Sequence, residues 1–546
     1  MPTGVQRDLA IYNELLAKRK HWEDPWSRVA EYIIGYKDGM ATPGESSAVP
    51  DRSAIINSTA QLSLRVFKAG MMAGVSPPTR PWVRYAPMDT ALLANRNVMD
   101  WCRQVNQKVA TACEDAKLYS ALPYVYGEWG SYGTSALGIF ENVDHSFRIQ
   151  RFEAGTYVFS CNDEGVVDIF QYMVAMRASD ILRAYPESAP QTVHHVAKTN
   201  PVKPFKVLIS ISRDYENRGK FPVISRHIFV GEQATTSLGD LPFKNQQLLK
   251  ESGFYSFPVM VPRWETTPQG DYGVDSPGML CVSDAAMLQE EERKKYRGLD
   301  MLVNPPTVGS ANINSTSEEL VPGGHTTVLD LRDGGLRPVY EIRFDIAAIA
   351  DDIRGVEQRI RNSFYVDIFL HLMELGRSAR ITAEEARMRD AESLLMLSPA
   401  LDMITAELLT PMFDRILEIM LRSRELPPPP EELQDPDTAV AVTFQSPLVR
   451  ALKAEGKDAL LSLLEFSANL ASLWPEVRYK ADPYKMLDAF VAGENLPNEV
   501  LRSDKEAEKA HEVEVQQAQA VQRQQQMDEV AAQAATRAFD NSAHSV

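Results

Sequence analysis

Apolar positions recur every three or four residues over most of the first 120 residues, the period of helices with one buried face. Leu9, Tyr12, Leu15 and Leu16 mark the first of them. Asp24-Pro25 reads as a fresh helix start, a capping carboxylate followed by proline in the first turn, with Trp26, Val29 and Ile33 on one face. A Gly/Pro/Ser loop covers 39–50. A further helix is predicted from Asp51 to about Met72, marked by Ile56, Leu62, Val66 and Phe67. Gly74 stops it, and Pro77, Pro78 and Pro81 forbid its return. Another helix is predicted over 91–117. The pattern then changes. Runs of β-branched and aromatic residues at 147–149, 157–159, 166–175, 206–212, 222–230 and 257–262 predict strands. The fold class is α+β, predominantly helical.

Helical spacing returns over 279–302, which carries the charge cluster Glu290 to Lys295. Residues 303–344 are rich in breakers, with short strands expected at Thr326–Leu331 and Val339–Phe344. Beyond them Ile346, Ile349, Ile353, Val356, Ile360 and Phe364 form one apolar stripe on a helix of about 25 residues, roughly 37 Å long. Asp351, Asp352, Arg354, Glu357, Arg359 and Arg361 occupy the rest of its surface. Such a helix does not supply a domain core alone. Its stripe can seal one copy of the chain to the next in a ring, or close an antiparallel hairpin inside one chain. After a break at 371–380, Thr382 and Glu385 have capping-box spacing. They open a helix reaching about Arg424, in which Pro399 and Pro411 should each form a kink or a division. Pro427 to Pro430 ends it; an acidic linker, a strand at 439–444 and further helices follow. The Gln-rich stretch 516–526 has little to bury and predicts a frayed or disordered tail.

Composition narrows the function. At 546 residues and 44% hydrophobic the chain has room for roughly three or four domain-sized units. Its net charge of −17 is opposite to that of a protein that grips DNA by its phosphates. Cys102, Cys113, Cys161 and Cys281 make no CxxC pair and no zinc spacing, so they read as reduced thiols. The start MPTGVQRDLA lacks a secretory pattern, and no apolar run approaches membrane length. The chain therefore reads as soluble and made in a reducing compartment. There is no GxxxxGK[ST] loop, no HExxH and no GxSxG; His371 with Glu374 is one residue short of the zinc pattern. Gly127, Gly130, Gly133 and Gly138 fit no phosphate motif and read as close backbone packing at a helix-to-strand passage. His194-His195 reads as a solvated loop pair. No catalytic residue, metal site or cofactor is predicted, and a phosphate-loop ATPase is disfavoured by the missing motif.

Four stretches carry a resemblance: GMMAGVSPPTRPWVRYAP at 70–87, GEWGSYGTSALGIF at 127–140, ITAEEARMRDAESLLMLSPALDMITAELLTPMFDRIL at 381–417, and the region from Ser446-Pro447-Leu448 to Ser503-Asp504. Together they resemble the podovirus-type head-to-tail connector (portal) family of phages. The resemblance implies a ring subunit with wing, stem, clip and crown. Residues 1–278 would be the wing and body, 279–302 the first stem helix, 303–344 the clip and 345–370 the second stem helix. Residues 371–380 would be the tunnel loop, 381–445 the long kinked wing helix and linker strand, 446–505 the crown helices and 506–546 a polar tail.

It further implies a homo-oligomeric ring, usually a dodecamer, at one capsid vertex. That ring is the conduit for double-stranded DNA in packaging and ejection, without catalysis of its own. The implied partners are the terminase motor, a tail adaptor protein, and the major capsid and scaffolding proteins, with no membrane. The implied location is the virion, after synthesis in the host bacterial cytoplasm. Arg377 and Arg380 in the tunnel loop would contact phosphates of passing DNA. Alternatively they pair with Glu374, Glu384 or Glu385.

Overall fold

The computed structural model describes residues 4–35, 55–89, 92, 95–142, 146–215, 220–231, 247–268, 270–310, 325–328, 337–338, 346–374, 397–433, 440–446 and 448. The predicted loop at 39–50, the strand at 339–344, the capping box of the long helix and the helices and tail beyond 450 lie outside the described residues.

Helix α1 spans Gly4–Val29 without interruption, so the expected restart at Asp24-Pro25 does not occur. Pro25 removes one backbone donor. Tertiary contact carries the helix across it: buried Trp26 donates from Nε1 to the Tyr132 carbonyl at 3.1 Å and stacks on Trp22. The chain then widens into a π turn, Ala30–Ile34, closed by Gly35 in the left-handed region at φ 84°. Helix α2 (Thr59–Gly74) starts eight residues later than predicted, because residues 55–58 take another role, described below. Strand β1 (Val83–Pro87), helix α3 (Arg96–Asp115, capped by Asn95) and helix α4 (Leu118–Tyr132) follow.

The glycine run is the end of α4 and the start of β2 (Ala136–Glu141), a helix-to-strand passage. A Cβ on Gly130 would lie 2.5 Å from the Phe67 ring, so this glycine lets α4 approach α2 closely. β2 is the centre of a three-stranded antiparallel sheet, between β3 (Phe147–Phe152) and a short β9 (Val259–Met260).

A five-stranded antiparallel sheet runs β4 (Tyr157–Cys161), β5 (Val167–Arg177), β6 (Pro204–Arg213), β7 (Val223–Gly231) and β8 (Gln247–Phe254) in sequence order. β8 was not predicted. Nor were helices α5 (Ala178–Ala184) and α6 (Gln191–Thr199) between β5 and β6. His194 and His195 are solvent-exposed, but on α6 and not in a loop, because Val193 anchors that helix in the core. Helix α1 covers this sheet: Leu9, Tyr12 and Leu15 pack on Val158, Met173, Leu208, Ile228 and Val230. Buried Arg19 donates to the carbonyls of Gly155 and Tyr157 at 2.6 and 2.9 Å. The architecture of the described residues is mixed α+β with helix in excess of strand.

Candidate functional site

Helix α7 (Pro277–Val303) opens on Ser276, whose hydroxyl accepts from the Met279 N–H, with Pro277 in the first turn. Beyond it β10 (Thr307–Ser310) pairs in parallel with β11 (His325–Val328) and antiparallel with β12 (Arg337–Pro338). Helix α8 (Ile346–Ser363) then runs back along α7. The Arg359–Asp284 ion pair at 3.2 Å and the contact of Asp352 with Glu291 set the two helices antiparallel.

The apolar stripe is the inner face of this pair. Ile353, Val356, Ile360 and Phe364 are buried within one chain, and Ile349 is half-buried. Ile346 begins α8; its side chain is outside the described residues. Burial against their own chain is what a hairpin asks of these four positions, and side chains so covered are not open to a neighbouring copy.

The second helix is also not one rod of about 25 residues. It breaks after Ser363, where Tyr365 adopts φ 55°, and resumes as α9 (Val366–Glu374). The break lets both Phe364 and Phe369 reach Phe67, with ring centroids 6.2 and 5.7 Å away. In a continuous helix, residues five apart point about 140° from each other and could not share that partner. Gly70 on α2 makes room for Phe369; an added Cβ would lie 2.2 Å from its ring. Residues 371–374, predicted as loop, belong to α9.

Residues 55–59 clamp the pair to α2. The N–H groups of Ile56 and Asn57 donate to Gln289 Oε1 at 2.7 and 2.9 Å, and Gln289 Nε2 donates back to the Asn57 carbonyl at 2.9 Å. Asn57 Nδ2 donates to Glu292 on α7 and to Glu357 on α8, at 3.2 and 2.7 Å. One asparagine therefore bonds both helices. The apolar markers Ile56 and Leu62 hid this, since both look like core positions and both are more than half exposed.

Of the long helix, residues 397–404 form α10. A π turn, Thr405–Leu409, separates it from α11 (Thr410–Arg422), so the division falls just before Pro411. The π turn presents Glu407 to buried Arg263, which also donates to the Gly165 carbonyl at 2.7 Å. Arg415 on α11 is buried as well and donates to the carbonyls of Ile139 and Ser256. Burial lowers its pKa to about 10, so it stays charged. After α11 the chain closes back with β13 (Val440–Phe444), paired antiparallel with β1.

Reactive chemistry has little foothold in this arrangement. Burial pushes the thiols of Cys113, Cys161 and Cys281 up to about 12 and that of Cys102 to about 11, which keeps them protonated and weakly nucleophilic. Among the described residues no group of three His, Cys, Asp or Glu could hold a metal ion, and no helix is long and apolar enough to cross a membrane. Burial raises Glu128 to about 8 and lowers Lys68 on the neighbouring helix. Arg377 and Arg380 lie outside the described residues.

Comparison with known proteins gives a consistent picture. A family model described as bacteriophage head to tail connecting protein matches residues 6–502. The chain is 27% identical over 523 residues to the portal protein of Salmonella phage epsilon15, covering 95% of this chain and 93% of that one. It is 27% identical over 489 residues to the probable portal protein of Bordetella phage BPP-1, covering 88% and 86%.

Proposed function

Because this chain belongs to the bacteriophage head to tail connecting protein family, we propose that it serves as a portal protein, a structural, non-enzymatic component of the phage head at the capsid vertex through which DNA passes. The observation that carries this is the family match over 6–502, which spans nearly all the chain. The family works as an oligomeric ring, and we take the ring to be a dodecamer.

In this reading α7 and α8 are the stem, and the excursion between them is the clip. An excursion between two antiparallel helices emerges at one end of the pair, a position suited to docking the terminase motor and later the tail adaptor. Helices α10 and α11 belong to the wing, and 446–505 to the crown inside the capsid, near the major capsid and scaffolding proteins. Since residues 371–374 belong to α9, we place the tunnel loop in what remains of 371–380. It retains Arg377 and Arg380 for passing contact with phosphates. The net charge of −17 suits a bore that lets DNA slide instead of holding it. The chain is made in the host bacterial cytoplasm and ends in the virion.

Electron microscopy of the purified full chain tests the reading. Rings with a central hole are expected; monomers or closed shells at every concentration overturn it. Arg377→Ala with Arg380→Ala should leave rings intact and change DNA packaging, and an unaltered packaging yield would remove the role given to the loop.

A further inference from the structure

We propose that the outward faces of α7 and α8 are the two halves of one contact between consecutive copies of this chain, with Met287 of one copy seated against Gly355 of the next. This rests on the ring reading above and names the surface that closes the ring.

The side of α7 away from its own core is not a simple polar face. Leu280 and Met287 are 61% and 40% exposed there. They begin an exposed line that continues through Glu290, Lys294 and Arg297, at the alternating spacing of three and four residues that makes a helix seam. Helix α8 carries a matching line of exposed positions, Ala348, Asp351, Gly355, Gln358 and Asn362. Its centre is a gap. Among the described residues a Cβ added to Gly355 would meet nothing within 4 Å, so none of them requires a glycine there. Glycine in mid-helix is an unfavourable choice unless something approaches closely. A bulky line on one helix and a hollow line on the other fit unlike to unlike. That is the heterologous contact a closed ring needs.

Charge and height select the partner. Within the chain Asp284 is level with Arg359, and Glu291 with Asp352. Rotation about the ring axis leaves every residue at its own height. With the pair running along that axis, α7 of one copy meets α8 of the next at these same levels. Met287 then falls beside Gly355. Glu290 falls beside Arg354, and Lys294 lies within two residues of Asp351, so acid meets base on both occasions. Among the described residues Glu290 pairs with Arg293 at 3.7 Å and Asp351 with Arg354 at 2.7 Å, each along its own helix. Between copies they would form an alternating quartet around the apolar contact.

The full chain carrying Met287→Cys and Gly355→Cys, oxidised after ring formation, should run as a ladder of covalent multimers without reductant. Each single variant should give no ladder. Rings seen by microscopy together with only monomer bands would overturn the contact while leaving the ring reading standing. A wild-type chain that never forms rings would overturn both. An independent arm uses charge: Glu290→Arg and Arg354→Glu should each lower the ring fraction about tenfold, and the double swap should restore it. Additive loss in the double variant would overturn the pairing.

Discussion

The sheet under α1 closes its core within one chain, whereas the α7–α8 pair closes on one side only. In the first region Arg19 and Gln171 enter the interior and find partners there. Arg19 bonds two carbonyls, and Gln171 donates to the Asp8 carbonyl and to Ser210 Oγ, both at 2.9 Å. In the second region Val356 and Ile360 are fully covered while Leu280 and Met287 on the facing helix stand in solvent. The difference separates two jobs that one apolar pattern can serve. Inner positions hold the chain's own fold, at about 1.5–3 kcal/mol for each large side chain removed from water. Outer positions are left for another molecule.

The largest effect expected on this contrast comes from Ile360→Asp. The new carboxylate would be buried without a partner, and stability should fall by at least about 3 kcal/mol. A denaturant titration of the purified chain reads this directly. An unchanged midpoint would show that α8 is not held by its stripe. The period of the stripe alone is compatible with a ring contact or a hairpin; burial ties this substitution to folding.

That distinction shows what was legible. The period of the stripe from Ile353 to Phe364 is local and could be read from spacing. Its partner could not, because two antiparallel helices and a ring contact demand the same pattern. The break at Tyr365 was hidden because tyrosine gives no hint of a left-handed backbone; three aromatic rings, Phe67 on α2, Phe364 just past α8 and Phe369 on α9, impose it. Asp24-Pro25 misled for the converse reason, a strong local signal overruled by the packing of Trp26. Pairing of β1 with β13 joins residues more than 350 apart, a contact invisible to any local reading. The absence of recognised catalytic motifs and the family resemblance were legible because they depend on runs of residues and not on geometry.

Next in size is Arg19→Met beneath α1. The carbonyls of Gly155 and Tyr157 would lose a charged donor in a buried place, costing about 2–3 kcal/mol. The same denaturant titration checks it, and a loss well below 1 kcal/mol would mean that water replaces the guanidinium. This arm probes the self-contained region, so ring formation by the surviving folded fraction should be normal.

A smaller effect is tied to pH. Burial raises Glu128 from 4.5 to about 8, although part of the residue still sees solvent, and the Ala154 N–H bond offsets this only in part. A carboxyl whose folded pKa is raised takes up a proton on folding. Its neutral form is therefore compatible with the fold at low pH, and stability is lost as pH rises from about 4.5 through about 8. Glu128→Gln should flatten that part of the stability profile. A wild-type slope in the variant would assign the proton uptake to another group.

The smallest effect on folding should come from Arg354→Ala. Arg354 and Asp351 are 70% and 74% exposed, and a surface pair three residues apart contributes at most about 0.5 kcal/mol. The melt of the unassembled chain should hardly move. If the outer face of α8 meets a second copy, sedimentation should nevertheless show rings that dissociate at lower salt than wild type, because a pair screened from solvent by an interface is worth more than an exposed one. Ile360→Asp cannot make this distinction, since a chain that does not fold also does not assemble. Arg354→Ala changes one property and spares the other. Unaltered ring stability in salt would return the outer face of α8 to ordinary solvent, and the contrast between the two regions would reduce to a difference in how completely each is covered.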